Sequence, residues 1–132
     1  MIKAILTILL VLSNTHSVDI GVTTTPTYDI RVTTTPTHVK ETGMANAIIK
    51  PAEGYKWNEK YPASFEFMYY ESAVATPLEQ KAYFKKGKLC VPYVGMLEGK
   101  EPIVVAISFS ICNEESCFIY RKQKVILSLM VN

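Results

Sequence analysis

Three cysteines carry the reactive chemistry open to this chain: Cys90, Cys112 and Cys117. The last two stand in the run Cys112-Asn113-Glu114-Glu115-Ser116-Cys117, whose intervening residues are polar turn formers. An apolar stretch ending at Ile111 precedes the run, and Phe118-Ile119-Tyr120 follows it. Two strands joined by a short loop hold their flanking residues opposite one another. Cα atoms so placed can lie roughly 5.5 Å apart, within disulfide range. Closing so short a loop contributes only about 2 kcal/mol in the chain-entropy account. Such a pair can be a hairpin staple, a dithiol that exchanges with a partner, or half of a metal site. The spacing is not that of a zinc knuckle, and His38 is the one imidazole beyond residues 1–17, so no metal is expected. Cys90 lies within Leu89-Cys90-Val91 and reads as a small buried hydrophobe.

Exchange requires a thiolate and access for the partner's sulfur. Glu114 and Glu115 raise a neighbouring thiol's pKa, whereas Arg121 and Lys122, beyond Cys117, would offset this. The pattern therefore suits a disulfide that a partner attacks better than a fast attacking thiol. No Gly-x-Ser-x-Gly, glycine-rich phosphate loop or His-Glu-x-x-His occurs, and no cofactor is expected. Trp57, Tyr55 and Tyr61 form an aromatic cluster, either a plug for the core or a platform for peptide or glycan. The 14 Lys+Arg nearly balance the 12 Asp+Glu, so the electrostatic basis for nucleic-acid binding is missing.

The elements that must position these groups repeat with period two. Phe65, Phe67 and Tyr69 form one alternating row, and Leu89, Val91 and Tyr93 another. Ile103, Val105, Ile107, Phe109 and Ile111 form the longest, and Val125, Leu127, Leu129 and Val131 the last. Apolar rows of this kind are sheet faces packed on one side. Breaks are expected at Pro51, Gly54, Pro62, Pro77, Gly87, Gly95, Gly99 and Pro102, and only Pro77 to Lys86 could hold a helical turn. The expected fold is all-β, an immunoglobulin-like antiparallel β-sandwich over residues 46–132.

The start of the chain reads differently. Met1-Ile2-Lys3, the apolar run Ala4 to Leu12 and the small polar Ser13 to Ser17 follow the order of a secretory signal peptide, assigned to residues 1–17. The apolar run is too short for a membrane helix, which needs roughly 20 residues. The mature protein is thus expected in the periplasm or secreted, with no membrane span, where a disulfide persists. Val22-Thr23-Thr24-Thr25-Pro26-Thr27 recurs as Val32-Thr33-Thr34-Thr35-Pro36-Thr37. Residues 18–45 are read as an extended Thr/Pro-rich linker, with an O-glycosylated stalk or an edge strand as the alternatives.

The order of apolar strand, Cys-x4-Cys, short strand, charged break and final apolar strand resembles the N-terminal periplasmic domain of the thiol:disulfide interchange protein DsbD. The matching run is Phe109-Ser110-Ile111-Cys112-Asn113-Glu114-Glu115-Ser116-Cys117, and Ile49 to Asn58 resembles the opening segment of such domains. The resemblance covers residues 46–132. It implies that Cys112 and Cys117 are a redox pair that relays electrons by thiol-disulfide exchange with a thioredoxin-like or other periplasmic redox protein. Tyr69 to Ser72 and Tyr93 to Met96 are the candidates for a loop capping the pair. Phe118-Ile119-Tyr120-Arg121 stands where such domains often carry Pro-Pro. The membrane-spanning and thioredoxin-like parts of DsbD have no counterpart in the sequence.

Overall fold

The computed structural model describes residues 16–132. The signal-peptide assignment falls almost wholly on residues 1–15, outside the described part. Ten strands run in chain order: β1 Val18–Thr24, β2 Tyr28–Thr35, β3 Thr42–Pro51, β4 Lys56–Trp57, β5 Ser64–Tyr69, β6 Ala75–Pro77, β7 Tyr83–Lys85, β8 Lys88–Gly95, β9 Gly99–Cys112 and β10 Cys117–Val131. One 3-10 turn, Glu79–Lys81, interrupts them within the segment expected to turn helically.

The strands form two antiparallel sheets. The larger has the order β1-β2-β3-β8-β6, with β7 also beside β8, and the smaller has β10-β9-β4, with β5 also beside β9. The expected apolar rows face each other across the sandwich. Ala45, Ala47 and Ile49 of β3 and Leu89, Val91 and Tyr93 of β8 meet the Ile103 to Ile111 row of β9 and the Val125 to Val131 row of β10. Fully burying one such Leu or Ile side chain stabilises by roughly 1.5–3 kcal/mol.

Two local devices keep these rows in phase. Between Tyr120 and Gln123 the β9–β10 register shifts, with Lys122 at φ 50°. This bulge inserts an extra residue, so even-numbered Tyr120 and odd-numbered Val125 both face inward. Pro102 lies inside β9 instead of breaking it. The last β9 partner of β5 is Val104, so one flank of β9 is unpaired at Pro102 and a missing donor is tolerated there.

The linker expectation for residues 18–45 is corrected. These residues form β1, β2 and the start of β3, so the sandwich begins well before residue 46. Tyr28 and Ile30 are buried in the core, and Thr34 is buried with its hydroxyl donating to the Ser128 carbonyl at 2.6 Å. Val and Thr favour strands because their branched side chains suit a pleated surface. The prolines do not oppose this. Pro26 lies in the turn between β1 and β2, and Pro36 lies just past β2.

Candidate functional site

Cys112 ends β9 and Cys117 begins β10 in direct register, and a disulfide joins them with their Cα atoms 3.9 Å apart. Local chemistry sets this arrangement. The Asn113 N–H donates to the Ser116 carbonyl at 2.8 Å. The Asn113 side-chain carbonyl accepts from the backbone N–H groups of Glu115 and Ser116 at 2.8 and 2.7 Å. Asn closes tight turns in this way because its short side chain reaches backbone donors two and three residues on. The next residues outward, Cys112 and Cys117, then fall at a closely spaced cross-strand position.

The two halves of the bridge differ in exposure. Cys112 lies between β10 and β4, opposite Lys56, and is 7% exposed. Cys117 lies on the sheet edge and is exposed. A shallow cleft of about 360 Å³ lined by Gly54, Tyr55, Lys56, Cys112, Asn113 and Glu114 adjoins the bridge. The Tyr55 and Phe118 rings stand 6.4 Å apart beside it, with Phe118 and Ile119 exposed.

The charges around the pair differ from those expected. Lys122 is turned away at the bulge, where its ammonium lies 3.4 Å from Glu66. Lys56 of β4 is the residue paired opposite Cys112. Glu114 and Glu115 remain exposed in the turn. Sequence reasoning missed Lys56, because its approach to Cys112 comes from the long-range pairing of β4 with β9.

The other expected site residues lie elsewhere. Tyr69 pairs opposite Val104, and Tyr93 bonds to Met130, so both capping candidates sit toward the Gly99 end of β9, far from Cys112. His38 also lies at that end, where its neighbour Val39 bridges Gly95. Among the described residues no group of three His, Cys, Asp or Glu side chains is placed to hold a metal. Cys90 is a free thiol, 2% exposed, in the other sheet. Its cross-strand neighbours are Asn46 and Tyr83. A hydrogen bond with Cys90 pushes the Tyr83 hydroxyl above its ordinary pKa. Trp57 stacks on Phe109 at 5.5 Å and meets Phe84 edge-on at 5.7 Å, which makes it a plug against the core.

Comparison of the chain with protein-family models, with curated proteins and with solved structures finds no match.

Proposed function

We propose that this is an exported β-sandwich whose Cys112–Cys117 disulfide exchanges with the thiols of a thioredoxin-like partner, in the manner of the DsbD N-terminal domain that its sequence resembles. The observation that carries this reading is the unequal exposure of the two halves of one surface bridge. A partner thiolate attacks the exposed Cys117 sulfur, the S–S bond breaks, and Cys112 leaves as a thiolate. The partner's second thiol then resolves the mixed disulfide. The partner is oxidised, and Cys112 and Cys117 hold two electrons and two protons as thiols. In the reverse direction Cys117 attacks a downstream disulfide and Cys112 resolves it.

A second reading makes the bridge a staple of a non-catalytic binding or structural module. The in-register placement of the two cysteines at the head of a long ladder favours it. Capture separates the two readings. Cys112→Ser leaves the exposed Cys117 thiol without its resolving partner, so it should retain a thioredoxin-like protein as a mixed disulfide. Cys117→Ser, with only the buried thiol left, should retain much less, and Cys90→Ala should leave the Cys112→Ser result unchanged. No capture by either serine variant would leave the staple.

A further inference from the structure

We propose, resting on the exchange reading of the bridge, that the free edge of β10 at Cys117 to Ile119 docks the client that the reduced pair reduces. The client is an extended, cysteine-bearing segment that adds antiparallel to this edge. Its disulfide cysteine stands opposite Cys117, and the two residues before that cysteine are apolar. The register of the hairpin carries this placement. The Asn113 N–H donates to the Ser116 carbonyl, so these residues form a hydrogen-bonded pair. Cys112 and Cys117, with Cα atoms 3.9 Å apart, are the closely spaced pair next to it. The alternation then bonds Phe118 to Ile111 and turns the N–H and C=O groups of Cys117 and Ile119 away from β9. β9 is the one sheet neighbour of β10, and among the described residues no hydrogen bond reaches those four groups. The described chain enters β1 at Val18, opposite Thr34, whose hydroxyl reaches Ser128 near the other end of β10.

The bond to be exchanged selects the occupant. Residues directly opposite one another in an antiparallel pair share a face. A residue paired with Cys117 on its free side therefore stands in one row with Cys117 and Cys112, across three strands. Displacement at sulfur is in-line, with the entering, attacked and leaving sulfurs close to one line. A cysteine in that row meets this demand, and one elsewhere along the segment does not. The Cys117 thiolate attacks the client cysteine's sulfur, and the client's second cysteine leaves as a thiolate. Cys112 then attacks the Cys117 sulfur from the β9 side, and the client cysteine leaves on the free side. Two electrons and two protons pass to the client, the Cys112–Cys117 bond re-forms, and the thioredoxin-like partner reduces it again. Neighbouring side chains set the rest of the preference. Ile119, exposed on the same face as Cys117, meets the residue two before the client cysteine. Phe118, exposed on the other face beside Tyr55, meets the residue one before it. The Asn113 to Ser116 turn bounds this edge at one end and the bulge between Tyr120 and Gln123 bounds it at the other, so it takes one short segment.

The test is the rate at which the reduced full chain attacks short peptides whose one cysteine is held as a mixed disulfide with thionitrobenzoate. Release of the coloured thiol reads the rate, and each peptide's rate with glutathione normalises it. A peptide with Val-Ile before its cysteine should react about tenfold faster than one with Asp-Asp. N-methylation of that Val should slow the reaction by a similar factor, because its N–H donates to the Ile119 carbonyl. N-methylation of the Ile should leave the rate unchanged, because its N–H points away from β10. Ile119→Pro removes an edge donor that β9 does not use, so it should erase the preference with its melting midpoint near the parent's. If that variant fails to fold, the two methylated peptides decide alone. Equal rates for all peptides, or equal slowing by both methylations, would overturn the docking edge while capture by Cys112→Ser still upheld exchange. No reaction with any peptide, together with no capture, would overturn both.

Discussion

The two ends of β9 are closed by different means. At the Gly99 end the closure is buried and noncovalent. Glu101 is 6% exposed, and its carboxylate accepts the backbone N–H groups of Ala73, Val74 and Ala75 at 2.8, 3.2 and 3.3 Å. Tyr93 donates its hydroxyl to the Met130 carbonyl at 2.8 Å and accepts the Met130 N–H at 3.2 Å. Gly43 makes this possible, since a Cβ there would stand 2.5 Å from the Tyr93 ring. At the Cys112 end the closure is covalent but superficial, on a turn that Asn113 already holds by its side chain. Buried groups that lose their partners are costly, whereas a bridge across a short surface loop adds little. By these magnitudes the fold is expected to depend more on Glu101 than on its disulfide.

The largest expected effect falls on Glu101. Glu101→Ala should destabilise the chain by about 3 kcal/mol, because three backbone donors lose a charged acceptor. Denaturant titration reads this directly, and a loss smaller than that on opening the disulfide would reverse the ranking of the two ends. Reducing Cys112–Cys117 should come next, at about 2 kcal/mol or less, with the fold retained. Collapse of the native circular dichroism on reduction alone would show that the bridge is a required staple.

Tyr93→Phe should cost about 1–2 kcal/mol near neutral pH, because the backbone groups of Met130 and Thr35 lose a buried partner, and it carries a pH signature. Burial pushes the Tyr93 hydroxyl above its ordinary value of 10.0, only partly opposed by the Met130 hydrogen bond. Burial, then the neighbouring Tyr120, pushes Tyr28 in the same direction. The folded chain therefore holds these protons more tightly than the unfolded chain does. Their contribution is complete below about pH 10 and is lost as pH rises through the folded values. Melting midpoints followed into that alkaline range should fall less steeply for Tyr93→Phe than for the parent. Parallel curves would show that Tyr93 contributes nothing to the alkaline loss of stability.

The core was legible because its rows are apolar on alternate residues, as the Ile103 to Ile111 run shows. β2 was not, although it obeys the same period. Its inward row is Tyr28, Ile30, Val32 and Thr34, and a buried Thr satisfied by the Ser128 carbonyl does not register as apolar. The prolines that marked the repeat as a tether mark turns. At the candidate site the hairpin and its bridge could be read from spacing alone. Lys56 and the separation of the Tyr69 and Tyr93 segments from the cysteines could not, because both follow from which strands pair at long range.

Whether the Cys112–Cys117 bridge serves exchange is read from its reduction potential. The measurement is equilibration of the purified protein against a thiol–disulfide buffer of known potential. Structural disulfides lie below roughly −300 mV, and exchanging ones are more oxidising. An exchanging Cys112–Cys117 bridge should have a value above that boundary. A value well below it would contradict the exchange role and leave Cys112–Cys117 a staple.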